Sequence, residues 1–221
     1  MNKMHIALFS AYMVIQLSGC VTATVDEMVF NEPTEGIGNS TVVILGRRDG
    51  TDQDAEPDFV SCIGKHISSH DKSIVVIREL EFINSFYPWF EPRTAPLRPT
   101  DLRKLMQHEP AARRMAELKT EYMIWIDGST ERIDSAGTMS CAISPAGGGC
   151  FGFAHWSDEA NYEAVIWDVT DQTEVGRINT IATGHSYMPA FIIPIPLIAR
   201  VQGTACDGLG DQLLKFLSGK Y

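Results

Sequence analysis

The run Thr41-Val42-Val43-Ile44-Leu45-Gly46 decides how the rest of the chain is read. It is short, continuously apolar, rich in β-branched side chains and closed by glycine, which is the pattern of a strand buried on both faces. Downstream, Arg47-Arg48-Asp49-Gly50-Thr51-Asp52 reads as a polar turn. Pro57 then suits the first turn of a helix whose Phe59, Ile63 and Ile67 recur every four residues, with Asp54 and Glu56 at its positive end. A second buried-looking strand, Ser73-Ile74-Val75-Val76-Ile77, completes a strand, helix, strand unit. Such a unit ordinarily lays its two strands parallel through a right-handed crossover.

Further along, Thr100 can cap a helix that starts at Asp101 and carries Leu102, Leu105 and Met106 on one face. A second helical piece begins near Pro110, with Ala111, Met115 and Leu118 as its buried stripe. The run from Glu121 to Asp127 places Tyr122, Ile124 and Ile126 on one side and Met123 and Trp125 on the other, again a strand from the middle of a sheet. From there the pattern is antiparallel. Residues 138–143 and 150–156 flank a Pro and Gly loop at 144–149, and residues 162–169 and 174–178 flank a polar turn at 170–173. The strand starting at Glu174 has room to continue to Tyr187. Prolines 189, 194 and 196 keep the apolar segment 189–198 from being a membrane-spanning helix. Ala205, Leu209, Leu213, Phe216 and Leu217 make the apolar face of a closing helix. The expected fold is α/β (α+β): one globular domain over 41–221, a mixed sheet with two to four helices packed on it and an antiparallel C-terminal meander.

Between Phe82 and Pro99 the regular pattern breaks. Phe86, Tyr87, Trp89 and Phe90 crowd into five positions, among Pro88, Pro92, Pro96 and Pro99. Proline excludes helix interior and central strand here, so the segment reads as a long connection. Two accounts follow: the rings pack under the connection itself, or they form an exposed partner-binding patch, to which the proline-broken segment Phe191 to Leu197 can contribute.

The amino terminus speaks to location. Lys3 and the apolar stretch from Ile6 to Ile15 form a signal-like segment too short to span a bilayer, and Leu17-Ser18-Gly19-Cys20 resembles a bacterial lipobox. The resemblance implies a signal peptide over 1–19, cleavage before Cys20, lipidation of Cys20, and a tether over 20–40 that holds the domain off the membrane. Val21, where retained lipoproteins typically carry aspartate, implies a periplasm-facing outer-membrane location with the bilayer engaged through the lipid anchor. Without Lys3 the formal charge moves from −10 to −11, which leaves no excess of cations for a phosphate backbone, so nucleic acid is not an expected partner. Cys62, Cys141, Cys150 and Cys206 remain, an even number suited to an oxidising compartment. Four cysteines allow three pairings. Cys141 with Cys150 brackets one hairpin loop, and Cys62 with Cys206 joins the first and last helices, which this fold class can lay side by side; buried free thiols are the alternative for the second pair.

Catalytic and metal readings are weaker. His155, Ser157, Asp158, His185 and Ser186 are the residue types of a serine hydrolase, but no Gly-x-Ser-x-Gly elbow is present and sequence neighbours on a strand point to opposite faces. His66, His70 and Asp71 read as a polar helix end rather than as a metal site. No cofactor motif occurs, since Gly147-Gly148-Gly149 is not followed by Gly-Lys-Ser/Thr.

The order strand, helix, strand, helix, then a meander containing Glu163-Ala164-Val165-Ile166-Trp167-Asp168-Val169 and Glu174-Val175-Gly176, and a last amphipathic helix resembles the α/β domain of curli-secretion and penicillin-binding-protein-activator lipoproteins and the TolB amino-terminal domain. The resemblance implies a noncatalytic envelope protein that binds another protein as an accessory or assembly factor. A carrier of a small hydrophobic ligand or lipid, and a hydrolase, are the alternatives. Two features depart from the pattern. No pair of long alternating hairpins is legible, which disfavours a pore, and the aromatic-proline connection and extra cysteines are additions.

Overall fold

A computed structural model describes residues 21–29, 40–48, 50, 54–145 and 147–219; Cys20 and the preceding signal segment, and residues 30–39 of the expected tether, lie outside them. The first described element is β1 (Val21–Val29), so part of the stretch read as a tether is a strand. The run that anchors the sequence reading is β2 (Thr41–Gly46), with Val42, Val43, Ile44 and Leu45 all buried. It lies in parallel between β3 (Val75–Ile77) and β4 (Tyr122–Ser144), with Val42 opposite Val76 and Ile44 opposite Ile124. β5 (Gly147–Asp168) and β6 (Thr173–Pro194) complete a six-stranded sheet in the order β1-β6-β5-β4-β2-β3. The fold is α/β with a mixed sheet, as read from the sequence.

Two corrections concern element lengths. The antiparallel pieces read as separate short hairpins are joined into strands of 23, 22 and 22 residues. The ground on which a pore was disfavoured, the lack of long hairpins, therefore does not hold. Within residues 82–99, the chain is not wholly irregular either, because a helix over Glu79–Ser85 runs into it.

The chain divides into two compact units. The α/β unit comprises Ala23–Ser129, Ala160–Ile181 and Gln202–Tyr221; the strand-end unit is built mainly of Thr130–Glu159 and Ala182–Val201. In the α/β unit helices cover both sheet faces, which is why β2 carries no polar alternation. On one face α1 (Pro57–His70) buries Phe59, Val60, Ile63 and Ile67. Phe59 stacks on Tyr162 at 3.5 Å between ring centroids, and the Tyr162 hydroxyl donates to Glu56 at 2.6 Å, so the residue before the helix is tied to β5. The other face is covered by α2 (Glu79–Ser85), α3 (Pro99–Leu105) and α4 (Glu109–Leu118), whose Phe82, Leu102, Leu105, Ala111 and Met115 join Val43, Leu45, Met123, Trp125 and Trp167 in one core. Each Val, Leu, Phe or Met side chain among them gains roughly 1.5–3 kcal/mol on burial. Glu79 holds α2 to the end of β2, accepting from the Gly46 N–H at 2.8 Å and from the two terminal nitrogens of the Arg48 guanidinium at 2.9 Å. The last helix, α5 (Val201–Ser218), buries Ala205, Leu209, Leu213, Phe216 and Leu217 and is linked to α1 by a Cys62–Cys206 disulfide.

Candidate interaction surface

Of the residues proposed from sequence as a partner patch, Phe86 and Phe90 belong to the core. They are 0% and 3% exposed, and their rings lie 5.1 Å apart, 4.5 and 4.8 Å from Phe82. The reason is visible in the spacing: Phe82, Phe86 and Phe90 recur every four residues, the period of one helix face, carried past the end of α2 by successive turns. Trp89 packs half-buried against the same cluster, and Tyr87 is 71% exposed. Arg47 ties the proline-rich connection down. Its guanidinium sits 4.0 Å from the Trp125 ring centroid and 5.3 Å from that of Trp167, and donates to the carbonyls of Pro96 and Leu97. The expected contact patch is thus mostly interior.

The strand-end unit has the opposite character. Residues 135–157 and 178–199 contain no Asp, Glu, Lys or Arg, in a chain that is 21% charged. Ten of the fourteen large apolar side chains that are exposed among the described residues lie in this unit: Ile133, Ile143, Phe151, Phe153, Tyr187, Phe191, Ile192, Ile193, Ile195 and Ile198. Ile143 is 94% and Phe191 79% exposed. Monomeric soluble proteins rarely gather so many exposed large apolar side chains in one unit without a use for them.

Cross-strand pairs order that surface. Phe151 meets Phe191 edge-on at 5.4 Å, and Phe153 meets Tyr187 at 6.1 Å, so four exposed rings form two pairs along β5 and β6. β4 and β5 are clamped near their shared turn by the Cys141–Cys150 disulfide, whose Cα atoms are 4.0 Å apart. The same strands approach so closely that a Cβ on Gly152, at φ +150°, would lie 2.2 Å from the Thr138 carbonyl oxygen, and one on Gly137 2.2 Å from that of Phe153. Beyond Pro194 the chain folds back on β6, with Tyr187 and Leu197 exchanging backbone hydrogen bonds of 2.9 and 2.7 Å. The proline-broken segment proposed from sequence is therefore held in place with its isoleucines outward.

The residues weighed as catalytic separate as strand alternation requires. Ser157, 5% exposed, is 2.7 Å from Nδ1 of His185. Asp158 points to the other face, paired with Arg132 at 3.1 Å, whose guanidinium also lies over Trp156. The Ser186 hydroxyl accepts from the Ala199 N–H at 3.0 Å, and the His155 ring lies against Phe153. A serine and a histidine meet, but the neighbouring aspartate is engaged elsewhere. In the α/β unit an open cleft of about 830 Å³ runs between α1 and β3, with Ile44, Val60 and Val76 in its floor and Arg48, Lys65, Arg78 and Glu79 at its rim. None of the described helices is long and apolar enough to cross a membrane.

No protein-family model matches the chain, and no curated protein matches it. Among solved structures it is similar to dodecameric PelC from Paraburkholderia phytofirmans, in a point variant at 12% identity, covering 90% of this chain and 100% of that one with a TM-score of 0.40. A second crystal form of the PelC dodecamer gives 12% identity, 90% and 100% coverage and a TM-score of 0.38. The hypothetical protein CT253 from Chlamydia trachomatis is 10% identical, with 81% of this chain and 98% of that one covered and a TM-score of 0.37.

Proposed function

We propose that this protein is an outer-membrane-anchored, periplasm-facing lipoprotein that acts without catalysis, binding a protein partner as an accessory or assembly factor of the cell envelope. The observation that carries the reading is the uncharged, apolar strand-end surface, centred on the Phe151–Phe191 and Phe153–Tyr187 pairs. Interfaces concentrate aromatics and exclude charge at their buried centres, and a disulfide-clamped hairpin loses little freedom on docking. The two disulfides are consistent with an oxidising compartment. The lipobox at Leu17–Cys20 supports the anchor.

One observation favours a second reading. The uncharged arms 135–144 and 147–157 match the roughly 9–11 residues that a membrane-crossing strand needs, so the same surface suits a bilayer. Replacing Phe191 and Ile193 with Asp separates the two. On the protein-partner reading, wild type copurifies with a stoichiometric envelope protein after detergent extraction and the double variant does not, while a Cys20→Ser chain is found in the soluble fraction or uncleaved. A chain that lacks residues 1–20, is exported by an unrelated cleavable signal and still stays in the membrane, with no copurifying partner, supports the bilayer reading instead.

A further inference from the structure

β2 has a parallel neighbour on each side, and the chain reaches them by opposite faces of the sheet. From β2 it crosses through α1 to β3, and from β3 it returns through α2, α3 and α4 to β4. Where crossovers part in this way, a crevice is left at the carboxyl ends of the strands, and open α/β sheets bind their ligands there. In this chain that place is the end of β2, at Gly46-Arg47-Arg48.

A hollow of about 40 Å³ lies at that end. Leu45, Phe90 and Trp125 are its buried lining, and the exposed Pro92 and Leu97 of the proline-rich connection carry it to the surface. Arg47 and Arg48 also line it, and no acidic residue does. Arg47 fixes the outer wall by donating to the Pro96 and Leu97 carbonyls at 2.7 and 3.1 Å.

Two of the lining residues hold buried donors that meet no acceptor among the described residues: Nε1 of Trp125, a side chain only 3% exposed, and Nε of Arg48. Glu79 occupies the terminal nitrogens of Arg48, so the guanidinium is held in place with Nε left over. An indole nitrogen only donates and a guanidinium does not lose its proton, so the complement of both groups is a hydrogen-bond acceptor. Buried donors are nearly always satisfied, which makes two in one small hollow a sign of what it receives. Glu79 offsets the charge of Arg48, and Arg47 adds a second cation, so an anionic acceptor is favoured over a neutral one.

Size and the remaining lining narrow the class. At roughly 10–15 Å³ for each water-sized group, the hollow takes about three to four heavy atoms, a carboxylate with a methyl-sized substituent. Phosphate and sulfate, polar all round, would set oxygens against Leu45, Ile83, Phe90 and Ala95. We propose that the hollow at the end of β2 binds a carboxylate bearing a small apolar group, from a short organic acid or a peptide chain end, whose oxygens accept from Trp125 Nε1 and Arg48 Nε. The site lies within the α/β unit and does not depend on what the strand-end surface binds.

The test is a proton–nitrogen NMR titration of the intact, disulfide-bonded protein at neutral pH and constant ionic strength, following the tryptophan indole N–H signals. Sodium acetate probes the free acid, alanyl-alanine the chain end, and acetamide the same shape without charge. The expected result is a saturable shift of the Trp125 signal with acetate or the dipeptide, an unmoved Trp156 signal from the strand-end unit, and binding of acetamide at least about tenfold weaker. Whichever carboxylate binds more tightly identifies the source. Trp125→Phe keeps a ring and removes the donor, so binding followed at the Gly46 amide should weaken about tenfold. No saturable shift of Trp125 with either carboxylate, equal binding of acetamide, or unchanged affinity in Trp125→Phe overturns the proposal.

Discussion

Phe90→Ala is the substitution whose cost the structure sets most tightly. The ring is 3% exposed and sits between α2 and the sheet, 4.8 Å from Phe82, 5.1 Å from Phe86 and 6.3 Å from Trp125, stacked on the last at 8° between planes. Truncation removes the transfer energy of the ring and leaves a cavity that three aromatic neighbours cannot readily fill. Buried Phe→Ala changes of this kind cost about 3–5 kcal/mol. For a chain of this length 1 kcal/mol moves the melting temperature by roughly 2–4 °C, so a fall of about 6–20 °C is expected. Tyr87→Ala, three residues away and 71% exposed, should stay within about 0.5 kcal/mol. Urea unfolding followed by far-ultraviolet circular dichroism measures both. A cost below about 1 kcal/mol for Phe90→Ala, or equal costs for the two, would refute the assignment of this connection to the core.

Opening Cys141–Cys150 with a double serine variant should cost about 3 kcal/mol by loop entropy and raise amide exchange over residues 138–153; unchanged exchange there would show that the clamp is idle. The Cys62–Cys206 bridge closes a far longer loop, so its removal should cost more, about 5 kcal/mol, in the same denaturation assay. Gly152→Val should disturb pairing of β4 with β5, because the side chain meets the Thr138 carbonyl and the residue has positive φ; a variant with wild-type exchange protection in both strands would contradict this. The Asp101 carboxyl is held below the usual carboxylate range, chiefly by its hydrogen bond from Lys104; desolvation opposes this, and the hydrogen bond and charge of Arg98 add to the lowering. Its folded value is depressed, so its contribution is present above the ordinary carboxylate pKa and lost as pH falls through the lowered one. The stability difference between wild type and Asp101→Asn should therefore vanish on strong acidification.

The sequence announces the α/β unit where burial forces a pattern. Thr41–Gly46 is uninterruptedly apolar because α1 covers one of its faces and α2–α4 the other. The aromatic connection was harder to read, since Pro88, Pro92 and Pro96 mask a four-residue spacing of Phe82, Phe86 and Phe90 that runs past a helix of seven residues. The strand-end unit was read in fragments for a different reason. Residues 131–138 are exposed throughout, so nothing selects an apolar residue at every second position, and Ser135, Ala136 and Gly137 carry no strand signal of their own. The contact between α1 and α5 is not legible in sequence at all, because Asp211 is 145 residues from His66 and is brought to it by packing alone.

Site-specific photocrosslinking in cells tests the central claim most directly, with the reactive group placed in turn at Phe191 and Ile193 of the strand-end unit and at Leu80, equally open at 71% exposure in the α/β unit. The account predicts one discrete protein adduct from the two strand-end positions and none from Leu80. Adducts from Leu80 alone, or no protein adduct from either strand-end position, would contradict it.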